Sequence, residues 1–341
     1  DDPTATPKRV AAVARLVTLV GTLVGVGALI FAAAVLRGDQ RDVRHVLYWV
    51  RRGGVLVVVG VGLELAAQIV VEGGGAWSAL WSPSVVASVL VSSFGIAVAL
   101  RIVGGFALAS GARLEVADAV EMSDPVVAIK ELVGVGAGNR PQRFGGGGLS
   151  PHDGHLVGRE PFLHHGDHAW LPTVDSTGAI LGALALVAAH LFDGHTVTKG
   201  DRLWTAIADV VHVTGGAVWA GGVFMLASVL WRRHRQGREL RALQLAMRFS
   251  VVATIALVAV GAAGVALTIV VLDTPSELWT TEWGRTLSAK SLFVATAATA
   301  GGYNHKVLIP RLQQSPGDPG LSGRFRTIVT AEAAALLAVL A

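Results

Sequence analysis

The chain has 341 residues, of which 52% are hydrophobic and 15% charged, with a mean hydropathy of +0.57. That balance points away from a soluble domain and towards a multi-span membrane protein. Cysteine is absent, which excludes disulfides, thiolate metal sites and thiol catalysis. The net charge of +4 is no sign of nucleic-acid binding, because membrane proteins concentrate Lys and Arg in their cytoplasmic loops.

The chain opens on DDPTATPKRV, with no Met start and no signal-peptide basic region. This predicts an amino terminus that was processed or trimmed from something upstream. A window of roughly 19 residues then finds spans near 11–36, 53–71, 84–109, 176–192, 205–231, 250–272 and 286–304. An eighth begins near Phe325 and is still apolar at Ala341, which predicts that the natural protein continues. With the amino terminus outside, the inner segments 37–52, 110–172, 232–249 and 306–326 hold twenty Lys and Arg against five in the outer ones. The strongest marker is Arg232, Arg233, Arg235, Arg238 and Arg241. The expectation is an all-α polytopic transmembrane helical bundle of about eight spans, amino terminus outside.

Three regions follow: an amino-terminal three-helix membrane region (1–109), a cytoplasmic Gly/His-rich loop (110–172) and a second membrane region (173–341). The loop carries His152, His155, His164, His165 and His168. HxxH and HHxxH spacing puts imidazoles within reach of one metal, so the loop reads either as a metal-receiving tract or as a solvated linker.

The stretch 205–231 is apolar enough to cross a bilayer yet contains Asp209 and His212, three residues apart on one face. Trp219 lies seven residues beyond His212 on nearly the same stripe, and Gly215, Gly216, Gly221 and Gly222 leave flat patches for a neighbouring helix. On the predicted topology His212, His190, Lys290 and Glu64, with Gln68 one turn further out, fall at comparable depths in the outer half of the bilayer, and His195 follows His190 in the outer loop. Ionisable groups are expensive facing lipid and make sense converging in a cavity or pairing with one another. Imidazole with carboxylate suits Cu(II) better than Cu(I), and only three Met are present for a soft-ligand path. Two His from two helices could equally ligate a b-type haem. The plainer alternative is that Asp209 and His212 bond each other or the backbone and fix helix register. Lys290 is expected to pair with Glu64 or Asp209, or to snorkel outward. Trp77, Trp81, Trp279 and Trp283 fit an interfacial aromatic belt, and Asn304, His305 and Pro310 are expected to close the seventh span at the inner face. No phosphate-binding loop, GxSxG or HExxH is present.

The stretch ADVVHVTGGAVWAGGVF, with His212, Trp219, Gly221 and Gly222, resembles the H-x6-W-x-GG helix of the copper-resistance protein D (CopD) family of bacterial inner-membrane proteins. EWGRTLSAKSLFVATAATAGGYNHKVLIPRL is similar to that family's carboxyl-terminal segment, here Trp283, Gly284, Arg285, Lys290, Asn304 and Pro310. The likeness spans about 176–341. It implies copper transport, usually inward, across the bacterial cytoplasmic membrane. It also implies a periplasmic donor, either a CopC-like copper-binding domain fused upstream or a chaperone. A non-enzymatic role follows, and the resemblance supports His212 most strongly and then His190. Together with the depth of the polar residues, the expectation is an outer metal site of His212, His190 and His195, with Asp209 or Glu64 as partner or counter-charge. The rivals are a haem b electron-transfer protein and a non-transporting accessory factor of a membrane complex.

Overall fold

A computed structural model describes residues 2–38, 40–112, 168–169, 174–192, 202–315 and 317–340. The helices are α1 (Ala5–Ala34), α2 (Gln40–Glu72), α3 (Pro83–Val91), α4 (Ser93–Gly111) and α5 (Val174–Ala188). They continue with α6 (Arg202–Gly216), α7 (Gly222–Arg235), α8 (Ala242–Val271), α9 (Glu277–Thr280), α10 (Glu282–Tyr303), α11 (Ile309–Gln314) and α12 (Pro319–Leu340). Extended structure among the described residues is limited to an antiparallel pairing of Arg37–Gly38 with Ala169–His168. The all-α bundle expected from composition is therefore what the chain forms. Five helical stretches are long and apolar enough to cross a membrane, Ala5–Ala34, Arg41–Glu72, Ser93–Gly111, Leu203–Arg235 and Ala242–Val271, and Thr177–Leu191 is a shorter apolar helix.

Helix α1 is the most enclosed of them, with Gly21 to Leu29 buried without a break. In a membrane the hydrophobic effect does not drive helices together, so close van der Waals approach must. Small residues permit it here. A Cβ built on Gly53 of α2 would lie 2.5 Å from the Cα of Gly25, and one built on Gly27 would lie 2.3 Å from the carbonyl oxygen of Ala217. Backbone thus touches backbone on both sides of α1.

Two π turns interrupt otherwise continuous helices. Ala217–Gly221 joins α6 to α7, and Asn304–Leu308 joins α10 to α11. The expectation that Asn304, His305 and Pro310 end the seventh span is corrected by the second of these. The helix runs on to Gln314, because Pro310 sits in the first turn of α11, where its missing N–H is tolerated. The third predicted span, 84–109, is also divided. Ser92 adopts an extended conformation (ψ 169°), and its hydroxyl donates to the Val89 carbonyl at 2.6 Å and accepts from Gly95 N–H at 3.3 Å, ending α3 and capping α4.

At the arginine-rich end, Asp42 is fully buried and accepts from Arg233 Nε (2.9 Å), Arg233 Nη2 (2.6 Å) and Arg238 Nη1 (3.0 Å). Two members of the basic run that begins in the last turn of α7 are therefore spent on tying α7 to the start of α2.

Replacing Gly27 by Val is expected to push α1 off the π turn and destabilise the bundle by about 1–3 kcal/mol, the usual range for overpacking. Gly62→Val is the control, since nothing lies within 4 Å of its Cβ position. Thermal unfolding in detergent should show a lower midpoint for the first and little change for the second.

Candidate functional site

Three helices each bring one charged side chain to the same level of the bundle. Arg15 lies ten residues into α1, Arg101 eight residues into α4, and Glu64 eight residues before the end of α2, roughly 12–15 Å along their helices. Arg15 Nε donates to Glu64 Oε1 at 2.9 Å, and Arg101 Nη1 stands 3.8 Å from Glu64 Oε2. Glu64 is 1% exposed and Arg101 5%. A carboxylate and a guanidinium this deeply enclosed need opposite charge close by, and each supplies it to the other.

Arg15 and Arg101 also line a cavity of about 410 Å³. Its walls include Thr18 and Thr22 of α1, His190 from the turn after α5, and Thr205, Asp209 and His212 of α6. Trp283, at the start of α10, completes the polar wall. The sequence-predicted residues His190, Asp209 and His212 are thus brought to one chamber by two helices. Glu64 is not part of its wall and stands behind the two arginines. His195 lies outside the described residues, as does the His-rich loop apart from His168, the backbone partner of Gly38.

His212 Nδ1 approaches the Val260 carbonyl oxygen of α8 at 3.3 Å. A carbonyl can only accept, so Nδ1 carries the proton and a neutral ring keeps its lone pair on Nε2. This is the orientation device common at metal-binding histidines, where the nitrogen not used for the ion is fixed by a backbone or carboxylate partner. The imidazole lies against Gly264, whose Cβ position is 3.4 Å from Cε1. The hydroxyls of Thr18, Thr22 and Thr268 donate to carbonyls one turn back along their helices (2.7–3.0 Å), which leaves their lone pairs available to the chamber.

Charge across the assembly sums to zero when both histidines are neutral: Arg15 and Arg101 against Glu64 and Asp209. Among the described residues no group of three or more His, Asp or Glu is arranged to hold a metal ion, so His190, Asp209 and His212 share one chamber without forming a ready-made coordination shell. Lys290 is half-buried on α10 and makes no ion pair among the described residues. Of its three expected roles, pairing with Glu64 is replaced by the arginines. Sequence reading counted Arg15 and Arg101 as charges within spans and did not connect them with Glu64. Their equal depth was the available signal.

Trp77, Trp81, Trp279 and Trp283 are all exposed at the end of the bundle where α1 begins, as membrane-interface residues are. A helical bundle of this length and apolarity is a multi-pass membrane protein. Comparison with known proteins narrows this further: residues 243–341 match the family model described as Copper resistance protein D. The second motif, from Trp283 to Pro310, falls inside the match, while the His212 helix precedes it. The chain is 27% identical over 119 residues to "Copper transport protein CutJ" of Bacillus subtilis (strain 168), an alignment covering 35% of this chain and 22% of that protein. It is 35% identical over 106 residues to "Inner membrane protein YebZ" of Escherichia coli (strain K12), covering 30% and 35%. The alignments therefore reach no more than about a third of either relative. No solved structure matches the chain.

Removing Glu64 alone takes away the buried carboxylate that faces both arginines, and Glu64→Ala is expected to cost about 3–5 kcal/mol, the scale for breaking a buried pair. The double variant Glu64→Leu with Arg101→Met should cost less than that. Unfolding midpoints of the two variants measured side by side check the order, and equal losses would contradict it.

Proposed function

We propose that this protein moves copper ions across the cytoplasmic membrane, inward, with the cavity lined by His190, Asp209 and His212 as the entry site on the outer face. The observation that carries the reading is the convergence of those three residues, from two separate helices, on one chamber. The match to the CopD family model and the likeness to a protein named for copper transport support copper as the cargo. An amino terminus on the outer side, as the Lys/Arg distribution predicts, would put the chamber on the outer side and the arginine-rich end inside. The ion would then arrive from a periplasmic donor such as a CopC-like domain.

His212 supplies a lone pair on Nε2, His190 a second imidazole and Asp209 a negative charge. Mixed imidazole and carboxylate donors suit Cu(II) better than Cu(I). Glu64 acts here as counter-charge. By holding Arg15 and Arg101 it lowers the repulsion that two guanidinium groups in the wall would exert on an entering cation. No nucleotide-binding motif is present in the sequence, and inward movement of a divalent ion gains about 4.6 kcal/mol at 100 mV, inside negative.

One observation favours a second reading. Two arginines beside two histidines also suit an anionic macrocycle, with guanidinium groups on its carboxylates and His190 and His212 as axial ligands, which describes a b-type haem protein. The optical spectrum of the purified protein separates the two readings, because a Soret band belongs only to the second.

The double variant His190→Ala with His212→Ala is expected to lower copper uptake into proteoliposomes by at least about tenfold, since losing even outer partners of a metal ligand costs 10- to 100-fold. Uptake and copper stoichiometry equal to wild type would overturn the entry-site assignment.

A further inference from the structure

A second cavity, of about 250 Å³, lies beyond the first along the same helix. It begins at Trp219, seven residues or roughly 10 Å after His212, and is walled by α7, α8, α10 and α12. Both π turns of the fold open onto it, the first through Trp219 and the second through Asn304 and His305. Such turns recur at functional sites because they displace side chains and backbone groups from the regular helical ladder.

The polar content of this cavity is one-sided. Glu332, near the middle of α12, is 5% exposed, and its partner is the neutral indole N–H of Trp219. Its carboxylate lies against Gly301, where a Cβ would come within 3.2 Å of Oε1. Asn304 is likewise 5% exposed, and its Oδ1 has no hydrogen-bond partner. Helix α8 contributes Ser250 and Thr254; Ser250 Oγ is 2.6 Å from His305 Nδ1, and the Thr254 hydroxyl is turned to the Ser250 carbonyl at 2.7 Å. No Lys or Arg lines the cavity. Two enclosed acceptors therefore face one chamber that no Lys or Arg lines among the described residues, an arrangement that favours the entry of something positive.

We infer that Glu332 and Asn304 form a second cation site in the middle of the bundle, which receives the ion from the outer chamber. This rests on the reading that the protein carries copper. Its donors are a carboxylate and an amide oxygen, with hydroxyls and water completing the shell. That set suits a divalent ion and is poor for Cu(I). The indole of Trp219 holds the carboxylate in place, and Gly301 provides the room for it. The chamber is large enough for an ion with several waters. Successive chambers on one helix give the cation a station with histidines in its wall, followed by one whose buried donors are oxygens, with His305 at its exposed edge.

The test is titration of the purified full chain in detergent with Cu(II) alone, read by equilibrium stoichiometry and by electron paramagnetic resonance. Wild type is expected to show two components, one with nitrogen superhyperfine structure from the outer histidines and one with oxygen donors only. Glu332→Gln should lose the oxygen component and one copper equivalent while keeping the nitrogen component. Glu332→Asp, which keeps the carboxylate, should retain the oxygen component with weakened affinity. Asn304→Ala should also weaken it, and unfolding midpoints establish that each variant is folded. An oxygen component that persists in folded Glu332→Gln, or its absence from wild type, overturns the inner site and leaves the outer one standing. Loss of copper in Glu332→Gln but none in His190→Ala with His212→Ala would instead overturn the outer site and leave the inner one. No copper bound to wild type overturns both.

Discussion

Burying Glu64 between Arg15 and Arg101 is the constraint around which the amino-terminal half of this bundle is arranged. Neither Glu64 nor Arg101 is tolerable alone in an apolar interior, and with the exposed Arg15 they commit α1, α2 and α4 to one depth. The requirement is met only if the backbones come close, which is why glycine recurs where α1 meets its neighbours. At the opposite end Asp42 with Arg233 and Arg238 imposes the same kind of condition on α2 and α7. Two charge clusters, one near each end of α2, thus fix both its level and its partners.

The chamber beside the Arg15–Glu64–Arg101 cluster inherits its electrostatics. Guanidinium groups in a wall would ordinarily exclude a cation, and the carboxylates of Glu64 and Asp209 offset them. The His212–Val260 contact in this chamber sets which ring nitrogen of the neutral imidazole carries the proton. Further along α6, the π turn places Trp219 between this chamber and the one containing Glu332. The residue that the sequence motif singled out is therefore a boundary between two polar spaces, and its indole serves the inner one.

Much of this was legible in the sequence, for identifiable reasons. Hydropathy and Lys/Arg asymmetry gave the helical bundle, because the bilayer imposes long apolar runs and a charge bias. Depth arithmetic brought His190 and His212 to one level, and Asp209 came with His212 on the same helical face. The breaks were less visible. Ser92 divides a span by a local hydroxyl bond, which competes with the helix in a way that no window average detects, and the π turn at Asn304 looked like a terminus because Pro310 follows it. Glu332 escaped notice because it stands alone in a short apolar run near the end of the chain, and its significance comes entirely from Trp219 and Asn304, distant in sequence. Arg15 and Arg101 were seen but left unpaired, since pairing across three helices depends on azimuth as well as depth.

The central claim is that copper is held by imidazole in the outer chamber. X-ray absorption at the copper edge of the wild-type protein, loaded with one equivalent, tests it most directly. The account predicts a first shell of mixed nitrogen and oxygen with the outer-shell scattering characteristic of about two imidazole rings, as expected for borderline N/O coordination. A shell of oxygen alone, with no imidazole scattering, would contradict it.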